Sequence, residues 1–560
     1  MSTLIEKIRN SVIGDKQGLC TPFGDKPLVY ADYTASGRGL HFIEDYIRDH
    51  VLPWYANTHT ETSFTGAQTT ALREQARQEI RSAVNGTEDD QIIFCGPGAT
   101  AAINKLLDIL NMRLPRDLSD QYQLEQHIPA QQRPVVFIGP YEHHSNELPW
   151  RESIADVVPI PLTKCGQIDL AILEKELATH ADRPLLIGSF SAASNVTGIK
   201  SDVVATTTLL KKHGALSFWD YAAAAPYVGI DMNAQSPIDA VFISPHKFIG
   251  GPGTPGVLVA KKALLNNSVP AIVGGGTVVY VTPEGHRFID DHERREEGGT
   301  PAIIESIRAG LVFKLQQEVG TDEIERREHA FVQRATERLQ ASPNIEILGN
   351  VDAPRLSIMS LRFKHGDKDL HYGFVVSLLN DLFGIQVRGG CSCAGPYGHA
   401  LLDMDMEYSR AIESEIQRGA MVLRPGWVRL NFNYFIDEQE FEYLLRAIEL
   451  VAENGWRMLP YYQFDTASGV WRYQAQVSGL ASSLKDWSFS DVDAAQQSAR
   501  TLALDGHLQH AASQLTMPDR RATSFELHLT EEGERLRWFL LPQEAACQLE
   551  DHPAAVAVGN

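Results

Sequence analysis

Between residues 91 and 260, short apolar runs alternate with helical stretches, and each apolar run stops at small or polar residues. Gln91–Cys95, Val135–Gly139, Pro184–Phe190, Ala215–Asp220, Asp239–Ser244 and Val257–Ala260 are apolar in succession rather than at every second position. Such runs are strands covered on both faces. With helices between them, the arrangement that buries both faces is an α/β fold with an open, mostly parallel sheet. In sheets of that kind ligands sit beyond the carboxyl ends of the strands.

One of those ends carries a lysine. Ser244-Pro245-His246-Lys247 is followed by the Gly/Pro-rich turn Gly250–Gly256 and then by another apolar run. A lone Lys between two buried strands is costly unless it is paired, or neutral and bonded. A Schiff base with an aldehyde removes the difficulty, and pyridoxal phosphate is the usual aldehyde, held by a lysine and an acid at its ring nitrogen. The plain alternative is a lysine that snorkels to water.

Other strand ends carry matching chemistry. Gly96-Pro97-Gly98-Ala99-Thr100 lies between a strand and a helix at 101–110, placing free backbone N–H groups and a hydroxyl where a phosphate binds. An ordinary βα turn would look the same. His143-His144 follows a strand. Adjacent residues point apart, and no cluster at ligand spacing joins them, so a metal site is not expected. A flat imidazole stacked on a ring is the functional alternative. Asp220 closes a strand as a helix cap or as the buried partner of a cation. Residues 31–38 and 57–63 are small and polar, suited to line a site.

The chain has 560 residues, 50 basic and 71 acidic, with a net charge of −21. That balance argues against nucleic acid or an anionic membrane as partner. Six cysteines in this length form no disulfide framework. The N-terminus has no signal-like core and no run reaches membrane-spanning length. A cytoplasmic protein is expected.

Residues 301–341 read as long helix. Ile345–Leu348, Leu356–Phe363 and Trp427–Phe432 read as strands of a second, smaller α+β domain, with helices near 369–382 and 437–453. The expected division is an N-terminal arm (1–30), a large domain (31–300), a small domain (301–455) and a C-terminal extension (456–560). Residues 112–133 read as a loop insertion and 475–515 as a weakly helical or flexible linker. In the extension, Phe525, Leu527 and Leu529 alternate with polar residues, as do Leu536, Trp538 and Leu540, so residues 525–540 predict a β-hairpin turning at 530–534.

Taken together the motifs resemble the class V aminotransferase-like enzymes of pyridoxal-phosphate fold type I, over roughly residues 28–455. Glu142-His143-His144-Ser145-Asn146 with Pro149-Trp150, and Val387-Arg388 ahead of a Cys-Ala pair, resemble the cysteine desulfurase and selenocysteine lyase branch. Asn57-Thr58-His59-Thr60, Phe218–Ala222 and Gly389–Gly398 resemble a subgroup of long desulfurase-like proteins.

The resemblance implies a seven-stranded, mostly parallel sheet flanked by helices and a role for each matched residue. Lys247 would hold the cofactor and then act as acid and base. Asp220 would pair with the ring nitrogen, His143 would stack on the ring, and Asn195 would bond its hydroxyl. Ala99, Thr100, Ser244 and His246 would hold the phosphate, and Thr277 would reach that of a neighbouring subunit, which implies a homodimer with a shared site. Arg429 would clamp the substrate carboxylate, with Arg388 and Asn57 nearby.

Cys393 would take sulfur from L-cysteine as a persulfide, leaving alanine and passing sulfur to an acceptor protein. Two places depart from the pattern: Ala223 stands where the family has a Gln, and Cys391-Ser392 precede the matched cysteine. Buried structural cysteines, or a redox-switching Cys-x-Cys pair, are the competing readings of that segment. At the level of activity, the competitors are an aminotransferase, epimerase or β-lyase of the same fold, or a non-catalytic cofactor-binding protein.

Overall fold

A computed structural model describes residues 3–58, 60–466, 468–474, 483–485, 488, 500–516 and 525–551. Its centre is a seven-stranded sheet. The strands β1 (Asp90–Phe94), β2 (Val135–Ile138), β3 (Asp156–Pro159), β4 (Leu186–Ser191), β5 (Leu216–Asp220), β6 (Ala240–Ile243) and β7 (Val257–Lys261) lie in the order β1-β7-β6-β5-β4-β2-β3. From β6 to β3 all neighbours are parallel. β7 is antiparallel to both β6 and β1. The link from β6 to β7 contains only one turn of 3₁₀ helix, so no crossover helix forms and the chain returns antiparallel. Successive side chains alternate between two cores: Phe218 and Phe242 pack on one face, Trp219 and Val241 on the other. This is why the strands read as unbroken apolar runs.

The exposed edge of β1 is closed by side chains. Ile92 N–H donates to Glu293 and Phe94 N–H to Glu297, each at 2.7 Å. Those carboxylates are held by three buried arginines of helix α1 (Phe64–Ala83): Arg81 on Glu293 at 2.5 Å, and Arg73 and Arg77 on Glu297 at 2.7 and 3.0 Å. Burial pushes the Glu297 carboxyl up, but the Arg77 and Arg73 charges outweigh it and hold its pKa down at about 2. Unpaired strand N–H groups are thereby satisfied and the edge is blunted.

A second, antiparallel sheet comprises β8 (Ile345–Ile347), β9 (Ile358–His365), β10 (Lys368–Leu370), β11 (Arg388–Gly390) and β12 (Trp427–Asn431), in the order β8-β9-β12-β11 with β10 on β9. The N-terminal segment joins it. Val29–Tyr30 pairs in parallel with Ile385–Gln386, and Asn431 N–H donates to the Ala31 carbonyl at 3.0 Å. That pairing delivers residues 31–38 beside β11 and β12. Residues 1–30 hold more structure than an arm: a helix at Leu4–Ser11 with a Thr3/Glu6 capping box, and a hairpin of Gly18–Thr21 with Gly24–Pro27.

Two expectations fail. Residues 112–133 are not a plain loop but carry a helix at Arg116–Tyr122 and two 3₁₀ turns. The hairpin at 525–540 is absent, and Glu531–Leu536 is a helix. Thr530 caps it, accepting from Gly533 N–H at 2.9 Å, and Glu531, Glu532 and Glu534 favour its N-terminus. The apolar residues that alternate in sequence pack on the small domain instead: Trp538 stacks on Tyr372 at 6.1 Å, and Phe539 pairs with Asp369. Of the expected linker, residues 475–482, 486–487 and 489–499 lie outside the described residues, while His507–Thr516 is helical. Among the described residues no helix is long and apolar enough to cross a membrane.

Candidate active site

The ends of β2, β4, β5 and β6 open on a cavity of about 240 Å³. Lys247 and Asp220 both line it. Lys247 ends the 3₁₀ turn after β6, and among the described residues its amine has no hydrogen-bond partner. Burial lowers its pKa to about 8, against the pull of Asp220 and with the push of Arg429. Asp220 is buried at the end of β5 and accepts from Ala222 N–H at 2.8 Å. Burial raises its carboxyl, and the Ala222 bond and the Lys247 charge restrain the rise.

His143 stands after β2 as the cap of helix α3 (His144–Arg151), its Nδ1 accepting from Ser145 N–H at 3.1 Å. Burial and the nearby Lys247 charge lower its pKa to about 4, so the ring is neutral at pH 7. The preceding residue holds the turn: Glu142 is buried and bonded by Asn146, Ser191 and Gly139. Burial pushes its carboxyl up to about 8, the hydrogen bonds only partly offsetting it.

Helix α2 (Gly98–Ile109) points its first turn at the same cavity, with Ala99 and Thr100 on the wall. Ala99 N–H donates to Ser244 Oγ at 2.9 Å, and the Thr100 and Ser145 hydroxyls are 2.6 Å apart. Gly98 has φ +56°, and a Cβ there would stand 2.8 Å from both His246 and Ser244. Gly256 lies against it, where a Cβ would fall 2.0 Å from the Gly98 carbonyl oxygen. Only glycine fits this meeting of the helix start with β7. His246 is held neutral, burial lowering its pKa to about 4 with help from Lys247.

The opposite wall belongs to the small domain. Arg388 on β11 and Arg429 on β12 face each other across the ladder, and both contact Asp32. Asp32 Oδ2 accepts from Arg388 Nε at 3.0 Å and Oδ1 from Arg429 Nη2 at 3.1 Å. Arg429 is 4% exposed and also donates to the Asn195 carbonyl at 3.1 Å. Asn195 donates from Nδ2 to the Ser392 carbonyl at 2.8 Å, while its buried Oδ1 has no partner among the described residues.

Cys393 follows at the cavity, exposed, in a turn whose residues Ser392 and Cys393 both have positive φ, +55° and +56°. Non-glycine residues rarely hold that conformation. Here Trp427 Nε1 donates to Ser392 Oγ at 3.2 Å and His144 N–H to the Cys393 carbonyl at 2.9 Å. Strain restrained by several bonds is characteristic of functional turns.

A family profile, aminotransferase class-V, matches residues 29–444. The chain belongs to the class-V aminotransferase family. A probable cysteine desulfurase of Halalkalibacterium halodurans is 30% identical over 374 residues, covering 66% of this chain and 85% of that protein. One from Streptomyces coelicolor is 28% identical over 373 residues, covering 66% and 84%. Among solved structures, the apo cysteine desulfurase of Thermococcus onnurineus superposes with a TM-score of 0.61 at 22% identity, over 76% of this chain and 95% of that one.

Two of the sequence-derived site residues of this class-V aminotransferase chain stand apart from the cavity. Thr277 is fully buried and donates to the Gly274 carbonyl at 2.7 Å, closing its own turn. Asn57 is exposed and meets Thr300 at 3.5 Å. Asp32, Thr34, Ala35 and Ser145 had no individual role in the sequence reading: Thr34, Ala35 and Ser145 line the cavity, and Asp32 bonds Arg388 and Arg429 on its wall. The small, polar character of residues 31–38 was the available signal for Asp32, Thr34 and Ala35. Ala223, in the place of the family's glutamine, also lines the wall. Among the described residues no group of His, Cys, Asp and Glu could hold a metal ion.

Proposed function

We propose that the protein is a pyridoxal-phosphate-dependent cysteine desulfurase, converting L-cysteine to alanine with a persulfide on Cys393. The observation that carries this reading is the juxtaposition, around one cavity, of an unpartnered lysine, a buried aspartate and an exposed cysteine. The residues fit the cofactor. Lys247 offers an amine with a lowered pKa, Gly98 leaves a cradle no Cβ can enter, and the hydroxyls of Thr100, Ser145 and Ser244 supply neutral donors for a phosphate. When bound, pyridoxal phosphate supplies an electron sink.

Lys247 holds the cofactor and afterwards moves protons at the substrate's α carbon. Asp220 keeps a negative charge where a ring nitrogen must stay protonated, and neutral His143 packs flat against a ring. Arg429 binds the substrate carboxylate by a charge-assisted bond, and Asp32 orients it together with Arg388. The Cys393 thiolate attacks the substrate sulfur: an S–S bond forms, the C–S bond breaks, and the carbon takes a proton to become alanine.

This reading includes a homodimer in the cytoplasm and an acceptor protein for the sulfur. Val269, Ile272, Val273, Val279, Tyr280 and Val281 around the 274–277 turn are all at least half exposed, an apolar surface suited to a second copy. The deciding experiment is alanine release from L-cysteine with reductant, native protein against Cys393→Ser. Alanine from the native protein alone is expected. No alanine from cofactor-loaded native protein would overturn the assignment.

A further inference from the structure

The desulfurase reading uses Cys393 and leaves Cys391, two residues away, without a role. The two thiols occupy different surroundings. Cys393 is exposed and lines the cavity; Cys391 is half-buried and does not line it. Cys391 packs at the margin of the small-domain core, and Tyr372 lies against the strand leading to it, where a Cβ on Gly389 would fall 2.7 Å from the Tyr372 ring. Tyr372 is in turn covered by Trp538 of the C-terminal extension, stacked 9° from parallel and anchored by its Nε1 on the Leu423 carbonyl at 3.1 Å. Tyr372 is thus covered by a segment beyond the family match, which ends at residue 444.

The backbone joins the two thiols tightly. Ala394 N–H donates to the Cys391 carbonyl at 3.3 Å, closing a β-turn with Ser392 and Cys393 at its centre. Residues two apart in so tight a turn have Cα atoms inside the ~4.4–6.8 Å that cysteines can bridge. A persulfide on Cys393 reaches further still, because its outer sulfur lies one S–S bond, about 2 Å, beyond Sγ.

We propose that Cys391 is a relay thiol, which takes the outer sulfur from Cys393 and carries it out of the cavity. This rests on the desulfurase reading. The Cys391 thiolate attacks the outer sulfur of the Cys393 persulfide. The bond from Cys391 Sγ to that sulfur forms, the bond from that sulfur to Cys393 Sγ breaks, and Cys393 leaves as a thiolate that accepts the proton Cys391 gave up. One persulfide replaces another, so no oxidant or reductant is consumed. Cys393 is then free for the next substrate while the sulfur waits for an acceptor thiol outside the cavity.

The test is a single turnover of the cofactor-loaded full chain with limiting L-cysteine, without air or reductant, quenched with iodoacetamide at increasing times. Both cysteines lie on the tryptic peptide spanning residues 389–410, and fragmentation between them locates the added sulfur. The expected course is sulfur first on Cys393 and then mostly on Cys391 in the native protein, but on Cys393 throughout in Cys391→Ser. Native protein that keeps its sulfur on Cys393 at all times would overturn the relay. So would a peptide two mass units lighter with free sulfide, since that marks attack on the inner sulfur and an internal disulfide. The native time course alone decides between these if Cys391→Ser fails to fold. Absence of alanine from the native protein is a separate result, which defeats the desulfurase reading itself.

Discussion

The lysine wall and the cysteine wall of the cavity are built on opposite principles. Lys247, Asp220 and His143 stand at the ends of strands packed on both faces, and burial has shifted the titration of all three. Cys393 stands on an exposed turn in a left-handed conformation, tied down by hydrogen bonds from Asn195, Trp427 and His144. Charge held in place must not relax, so it is embedded in a rigid sheet. A thiol that has to meet a substrate and then hand sulfur on must be reachable, so it sits on a turn that a few bonds restrain. Asp32 links the walls, reaching from the N-terminal segment to Arg388 and Arg429.

The contrast breaks most completely at the lysine. Lys247→Ala is expected to lose alanine formation by about 10²–10⁴-fold, the usual span for a positioned acid and base, and to show no visible absorption band after incubation with pyridoxal phosphate. Retention of both would remove Lys247 from the chemistry. Next in size is the support behind that wall. Glu297→Ala leaves Arg73 and Arg77 buried without their shared partner and uncovers Phe94 N–H. A loss of about 3–5 kcal/mol of stability is expected in urea unfolding, and an unchanged midpoint would show that the network is solvated.

At the link between the walls, Asp32→Ala removes charge-assisted bonds worth about 1.5–3 kcal/mol. The KM for the amino acid should rise on the order of ten- to a hundredfold, with kcat moving less; the reverse split would place Asp32 in the chemical step. The electrostatics of the lysine wall can be sharpened by pH. Burial favours the neutral amine, so capture of pyridoxal phosphate by apo protein should rise with pH and level off above about 8. An exposed lysine would go on rising toward 10.5. Asp220→Asn removes the charge that stabilises the ammonium form, and should move the profile to lower pH. The smallest effect is expected on the cysteine side. Ser392→Gly relieves a left-handed residue, worth about 1–2 kcal/mol, against the entropy of a new glycine, about 0.5–1 kcal/mol, and it deletes the Trp427 bond. Stability should stay within about 1 kcal/mol while alkylation of Cys393 speeds up a few-fold; an unaltered alkylation rate would show that the turn is held without Ser392.

Local pattern was enough to read the large domain. Apolar runs that fail to alternate demand two covered faces, and the Gly-Pro-Gly turn before residues 101–110 demands a helix start, so the sheet and the place of Lys247 follow from composition over a few residues. The same reasoning misread residues 525–540. Alternation there looks like a strand, but Thr530 and three glutamates start a helix, and Trp538 and Phe539 are satisfied by His371 and Tyr372 far away in sequence. Asp32 was passed over for a related reason: a carboxylate beside a short strand has no visible purpose until Arg388 and Arg429 are folded against it.

The sequence by itself determined the buried strands and the turns that end them, Lys247, Asp220 and the Gly98 turn among them, because periodicity and turn chemistry act over neighbours; Asn195, Arg388, Cys393 and Arg429 were named only by the family resemblance. Only the tertiary structure decided their charge states, the bridging of two arginines by Asp32, the strained presentation of Cys393 and the separation of Cys391 from the cavity. Desolvation, ion pairing and backbone strain depend on what lies opposite, and here the opposite partners come from segments hundreds of residues apart.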